Sequence, residues 1–142
     1  MLVIYKADVA VMTGKQEDMV LKVLQSGGFA GDMHKLMQAS EYSALCLDNG
    51  CFHGVALVSV TQLADKTREH EILAVCMAPA WRGRGVATEL VGLITSESSG
   101  STTRVCVEHS TFTHESLVQF FEKGGFVVDT SNATGTYMKC AV

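Results

Sequence analysis

Met77-Ala78-Pro79-Ala80-Trp81-Arg82-Gly83-Arg84-Gly85-Val86-Ala87-Thr88 lies between an apolar, strand-like run and an amphipathic, helix-like run, and its reading decides the fold. Two glycines let the backbone come close to a bulky ligand without a side-chain clash, and the first amides of the following helix have no intrahelical partner. Such an end attracts anions. Other phosphate loops do not fit the letters: there is no Lys-Ser/Thr ending and no Gly-x-Gly-x-x-Gly. The Arg-Gly-Arg-Gly run could also serve RNA. Against that, 11 Lys and Arg face 15 Asp and Glu, for a formal charge of -4, which argues against a nucleic-acid surface. A purely structural turn is the plain alternative.

Outward from this segment the pattern alternates between strands and helices. Residues 71–78 are almost continuously apolar, which predicts a strand buried on both faces. Residues 83–96 place Val86, Leu90, Val91 and Ile94 on one helical stripe. Upstream, residues 2–12 read as a first strand. Thr13-Gly14 then opens a helix carrying Met19, Val20, Val23 and Leu24, which ends at Gly27-Gly28. A short helix over 32–39 has Asp32 as its cap. Residues 42–47 and 51–60 flank Asp48-Asn49-Gly50, a hairpin signal, and 62–69 read as a polar loop. Downstream, a Ser/Thr/Gly loop over 96–103 precedes a strand over 104–108. A helix over 115–123 stops at Gly124-Gly125, and strands over 126–129 and 136–140 follow.

With 142 residues, 47% apolar and 18% charged, the chain has core material for one domain and no disorder signature. Cys46, Cys51, Cys76, Cys106 and Cys140 form no Cys-x-x-Cys pair and read as small buried hydrophobes in a reducing compartment. The five histidines show no ligand spacing, so no metal is expected. No window approaches a membrane span, and the opening residues lack the shape of a signal peptide. Both ends fall in strand-like sequence, which points to a domain excised from a larger protein.

The spacing Arg82-x-x-Gly85-x-Ala87, with Pro79 before it and Thr88 after it, resembles the acetyl-CoA signature of the GNAT acyltransferase superfamily. Phe120-Phe121-Glu122-Lys123-Gly124-Gly125-Phe126 resembles that family's late Phe-Tyr-Glu-Lys-x-Gly-Phe element, and the order of elements agrees along nearly the whole chain. The resemblance implies an α+β GNAT fold over residues 1–142, with a mixed, mostly antiparallel sheet of about seven strands and about four helices. It also implies a ternary complex with acetyl-CoA. The amides of Gly83, Arg84, Gly85, Val86 and Ala87 would grip the pyrophosphate, helped by the Thr88 hydroxyl and by charge from Arg82 or Arg84. Pantetheine would pair near Met77 and Pro79, and the thioester oxygen would take an amide from Val75, Cys76 or Met77.

An amine must lose a proton before it attacks. Glu71, which opens the apolar run, is the candidate base, expected on one face with Leu73, Val75 and Met77 and partly desolvated there. Its offset of eleven residues before Arg82 resembles the base of the general-control and PCAF type histone acetyltransferases. Phe121 stands where many small-molecule members carry a tyrosine acid, as in that histone-type branch, and it cannot donate a proton. His109, Ser110 and His114 are minor candidates for the lining. The resulting expectation is transfer to a protein lysine, a histone tail among the choices, in an intracellular setting: nuclear for a histone, otherwise cytoplasmic. Neither nucleic acid nor membrane is an expected partner. The alternatives are a small-amine or aminosugar acetyltransferase and a CoA-binding module without turnover.

Overall fold

The computed structural model describes residues 2–98, 100–108 and 114–141. In chain order these form β1 (Val3–Asp8), α1 (Gly14–Ser26), α2 (Met33–Ala39), β2 (Tyr42–Asp48), β3 (Cys51–Gln62), β4 (Arg68–Met77), α3 (Val86–Glu97), β5 (Thr102–Glu108), α4 (His114–Lys123), β6 (Val127–Ser131) and β7 (Gly135–Ala141). The strands make one seven-stranded sheet in the order β1-β2-β3-β4-β5-β7-β6. Every neighbouring pair is antiparallel except β4 and β5, which run parallel with α3 as the crossover. The order and pairing of the elements are those of the α+β arrangement that the sequence implied.

Local chemistry accounts for most boundaries. Thr13 and Gln16 cap α1 reciprocally, the hydroxyl accepting from Gln16 N and the amide oxygen accepting from Thr13 N. Asp32 accepts from Lys35 N and starts α2. Asn49 and Gly50 both take positive φ, 52° and 76°, as a two-residue hairpin turn requires. Several boundaries differ from the sequence reading, two of them early in the chain. The first strand stops at Asp8, because Val9–Val11 turns into a short 3-10 helix whose Val9 N donates to Glu41 O. The loop over 62–69 is shorter than expected, because Gln62 already pairs with Arg68.

Each face of the sheet carries a core. On one, Val86, Leu90, Val91 and Ile94 of α3 and Phe121 of α4 pack on Ala44, Ala56, Val58, Val105 and Met138. On the other, Val20, Val23 and Leu24 of α1 and Met37 of α2 cover Leu45, Val55 and Leu57. Tyr42 and His70, both buried, share a hydrogen bond of 2.8 Å on the α3 side. Burial raises the Tyr42 pKa and lowers that of His70, which keeps both uncharged. Of the cysteines read as buried, Cys46, Cys76 and Cys140 are, whereas Cys51 is exposed at the hairpin and Cys106 is partly exposed. No helix among the described residues is long and apolar enough to cross a membrane.

Leu90 is fully buried in the middle of α3. Leu90→Ala is expected to destabilise the chain by about 2–5 kcal/mol through lost burial and the cavity left behind. A urea titration checks this, with the midpoint moving down at an unchanged slope.

Candidate active site

After β4 the chain makes a 3-10 turn at Pro79–Trp81 and enters α3 at Val86, not at 83 as the sequence reading had it. The reason is conformational. Gly83 and Gly85 adopt φ of 75° and 78°, left-handed values that a helix cannot contain and that cost little only for glycine. Gly85 is the N-cap and has no side chain to satisfy the first turn, so the amides of Val86, Ala87 and Thr88 project beyond the helix end. A Cβ on either glycine would meet nothing within 4 Å. The space around these two glycines is therefore open, and the chemistry of free helix-end amides suits an anionic ligand.

Side chains brace this loop in ways the sequence did not reveal. Arg82 Nη2 donates to Gly27 O at 3.2 Å, tying the loop to the end of α1. Trp81 stacks on His53 with centroids 4.4 Å apart, and the Arg84 guanidinium lies 4.9 Å from the Trp81 ring. Arg82 and Arg84 are both exposed, Arg82 committed by one nitrogen to the Gly27 carbonyl and Arg84 lying against the Trp81 ring.

Below the loop, β4 and β5 part. They pair only from Glu69↔Thr102 to Ile72↔Val105, and among the described residues no strand lies beside 73–77 on that side. The opening is a cleft of about 710 Å³ lined from both faces of the sheet: Val75, Val107 and Phe121 from the α3 side, Phe29, Ala74 and Cys106 from the α1 side. This corrects the expected burial of β4 on both faces, since Leu73, Ala74 and Val75 are only half-buried along the opening. The free edge leaves backbone groups near Val75, Cys76 and Met77 without ladder partners on that side, which suits an extended ligand arm. The cleft lining has no Tyr, Ser or Thr among the described residues, and Phe121 is 4% exposed.

Glu71 lies at the point of divergence, but not on the expected face. Val58 pairs with Ile72 and Leu57 with Ala74, so Leu73 is a β-bulge. The extra residue shifts the alternation, and Ile72 shares the α3-side core with Val75 and Met77. Glu71 therefore points to the other face, that of Ala74 and Cys76, and is half-buried. Neither a bulge nor a parallel register has a signature in this stretch of letters.

That register sets Arg104 opposite Glu71. Arg104 Nη1 donates to Glu69 Oε1 at 3.2 Å, and its guanidinium lies 5.4 Å from the centre of the Tyr137 ring. Partial burial works against its charge, yet the Glu69 hydrogen bond and the charges of Glu69, Glu71 and Asp129 raise its pKa overall. His114 Nε2 hydrogen-bonds Thr136 Oγ1 at 3.1 Å and is not among the cleft-lining residues. His109 and Ser110 lie outside the described residues.

Residues 19–126 match the sequence model of the acetyltransferase (GNAT) family. No curated protein matches the sequence. Among solved structures, Arabidopsis thaliana Naa50 in complex with a bisubstrate analogue, CoA-Ac-MVNAL, is similar with a TM-score of 0.78 at 11% identity, over 98% of this chain and 99% of that one. The ribosomal-protein-S18-alanine N-acetyltransferase of Escherichia coli gives 0.72 at 13%, over 97% and 93%. The PaiA N-acetyltransferase of Thermoplasma acidophilum, in complex with coenzyme A, gives 0.74 at 12%, over 100% and 99%. At such identities the structural likeness is one of fold.

Proposed function

The chain belongs to the GNAT family of acetyltransferases, and from that premise we propose that it acetylates the side-chain amine of a lysine in a protein or peptide, with Glu71 as the base. It is an acyl-CoA N-acetyltransferase whose donor is acetyl-CoA. The observation that carries the finer reading is the bulge at Leu73, which turns Glu71 to the face opposite α3, one residue before Ile72, where β4 begins to line the cleft through the sheet. Phosphate donors on one face and a carboxylate on the other suit two substrates that meet between them.

Acetyl-CoA supplies an acyl carbon with a thiolate leaving group of low basicity. The chain's own part is to hold and to deprotonate. The amides of Gly83, Arg84, Gly85, Val86 and Ala87, with the Thr88 hydroxyl and Arg84, hold the pyrophosphate. Backbone groups of Val75, Cys76 and Met77 on the free edge of β4 align the thioester arm and offer an amide to the developing oxyanion. Glu71 takes the proton from the incoming ammonium, directly or through one water. No side chain is assigned to protonate the thiolate; as the tetrahedral intermediate collapses, the second nitrogen proton goes to the thiolate or to water in the open cleft.

A lysine acceptor is supported by the Glu71 carboxylate on the acceptor face, Glu69 being paired with Arg104, and by the formal charge of -4. A long, flexible side chain can also reach a base set in a cleft. The proposal predicts that basic lysine peptides exceed aminosugars and short polyamines in kcat/KM when assayed side by side. Turnover of glucosamine phosphate with none on peptides would assign the enzyme to small amines.

A further inference from the structure

Arg104 is built into the acceptor face with a buried donor unused. Its Nη1 is held by Glu69, its guanidinium lies near the Tyr137 ring, and its Nε is buried without a hydrogen-bond partner. A buried cationic N–H with no acceptor is costly and in a folded protein has a reason to be there. Glu71 occupies the register position directly across from Arg104 on the parallel neighbour strand, and its charge already acts on the guanidinium. The Glu69 carboxylate is committed to Nη1. Across that register the Glu71 carboxylate is the remaining acidic neighbour on β4 that could supply the missing acceptor.

Resting on the reading of Glu71 as the base, we propose that Arg104 is its positioning residue: the fork is fixed by Glu69 on one prong and offers Nε to Glu71 on the other. Between turnovers this contact holds the Glu71 carboxylate beside the cleft in one orientation. When the acceptor ammonium arrives, Glu71 passes from one cation to another and does not have to be drawn out of bulk water. Arginine suits the task because its planar fork serves two carboxylates at fixed angles, which a lysine ammonium does not.

The test is a double-mutant cycle on the full chain with acetyl-CoA and a lysine peptide. Arg104→Gln is expected to lower kcat by about ten- to a hundredfold through misplacement of the base, with KM for both substrates within about twofold. Arg104→Lys recovers part of that loss. In a Glu71→Gln background the same Arg104→Gln change costs less than about twofold, because its route to the reaction is already gone. A full loss from Arg104→Gln in that background, or a rise in peptide KM at constant kcat, overturns the proposal. The first outcome means that Arg104 acts independently, and the second that it binds the peptide. Thermal melts accompany each variant, and a kcat loss that only tracks lowered stability also overturns it. If Glu71→Gln alone keeps near-normal kcat, it is the assignment of the base that fails, a separate result.

Discussion

Glu71→Gln is expected to lower kcat at neutral pH by about a hundredfold or more, while acetyl-CoA affinity stays close to that of the parent. The substitution keeps the shape of the side chain and removes the proton acceptor. The acceptor arrives as an ammonium with an unperturbed pKa of about 10.4, so at neutral pH nearly every encounter needs a base. Raising the pH supplies free amine from solution, and the variant should therefore regain part of its rate as the assay moves toward pH 10. Glu71 stands on the sheet face opposite α3, whose first amides are the proposed cofactor donors, so the substitution should leave those donors in place. A variant with near-normal kcat at pH 7 would reduce Glu71 to a strand carboxylate.

Gly85→Glu is expected to abolish acetyl-CoA binding. At φ 78° any side chain adds left-handed strain, about 1–2 kcal/mol, although the space around the Cβ is open. Loss of binding must therefore be separated from loss of stability, and Gly85→Ala makes that separation. It carries the same backbone strain without charge or bulk in front of the α3 amides. Both variants should melt below the parent by a similar margin. Acetyl-CoA should raise the melting temperature of the parent and of Gly85→Ala and leave that of Gly85→Glu unmoved, because only a ligand that binds the native state stabilises it. Calorimetric titration gives the same comparison directly. Equal affinity in Gly85→Glu and the parent would remove the pyrophosphate from this loop.

Local signals survived the passage from sequence to structure, and long-range ones did not. Thr13, Asp32 and Asn49-Gly50 are each decided by a few neighbouring residues and lie where the sequence reading placed them, whereas the glycine turn delays the start of α3 from 83 to Val86. The stripe Val86, Leu90, Val91 and Ile94 faces the sheet because helical spacing leaves it no other arrangement. Glu71 was legible as a residue but not as a direction. Strict alternation assigned it to the face of Val75 and Met77, and one bulged residue, Leu73, reversed that. Arg104 was missed because its partners are thirty-five residues away on Glu69 and across a parallel register, where neither spacing nor composition leaves a trace. The stack of His53 on Trp81 joins β3 to the cofactor turn in the same non-local way.

The most direct measurement on the central claim takes the intact chain with acetyl-CoA and a basic lysine peptide, and follows free CoA and acetylated peptide in the same samples. Transfer by direct attack in a ternary complex predicts that the two products rise together in equal amounts and that CoA release depends on the peptide. It also predicts double-reciprocal plots that intersect, as the two faces of the cleft require. CoA released with no acetyl group on the peptide, or no CoA released by any amine tested, would contradict it.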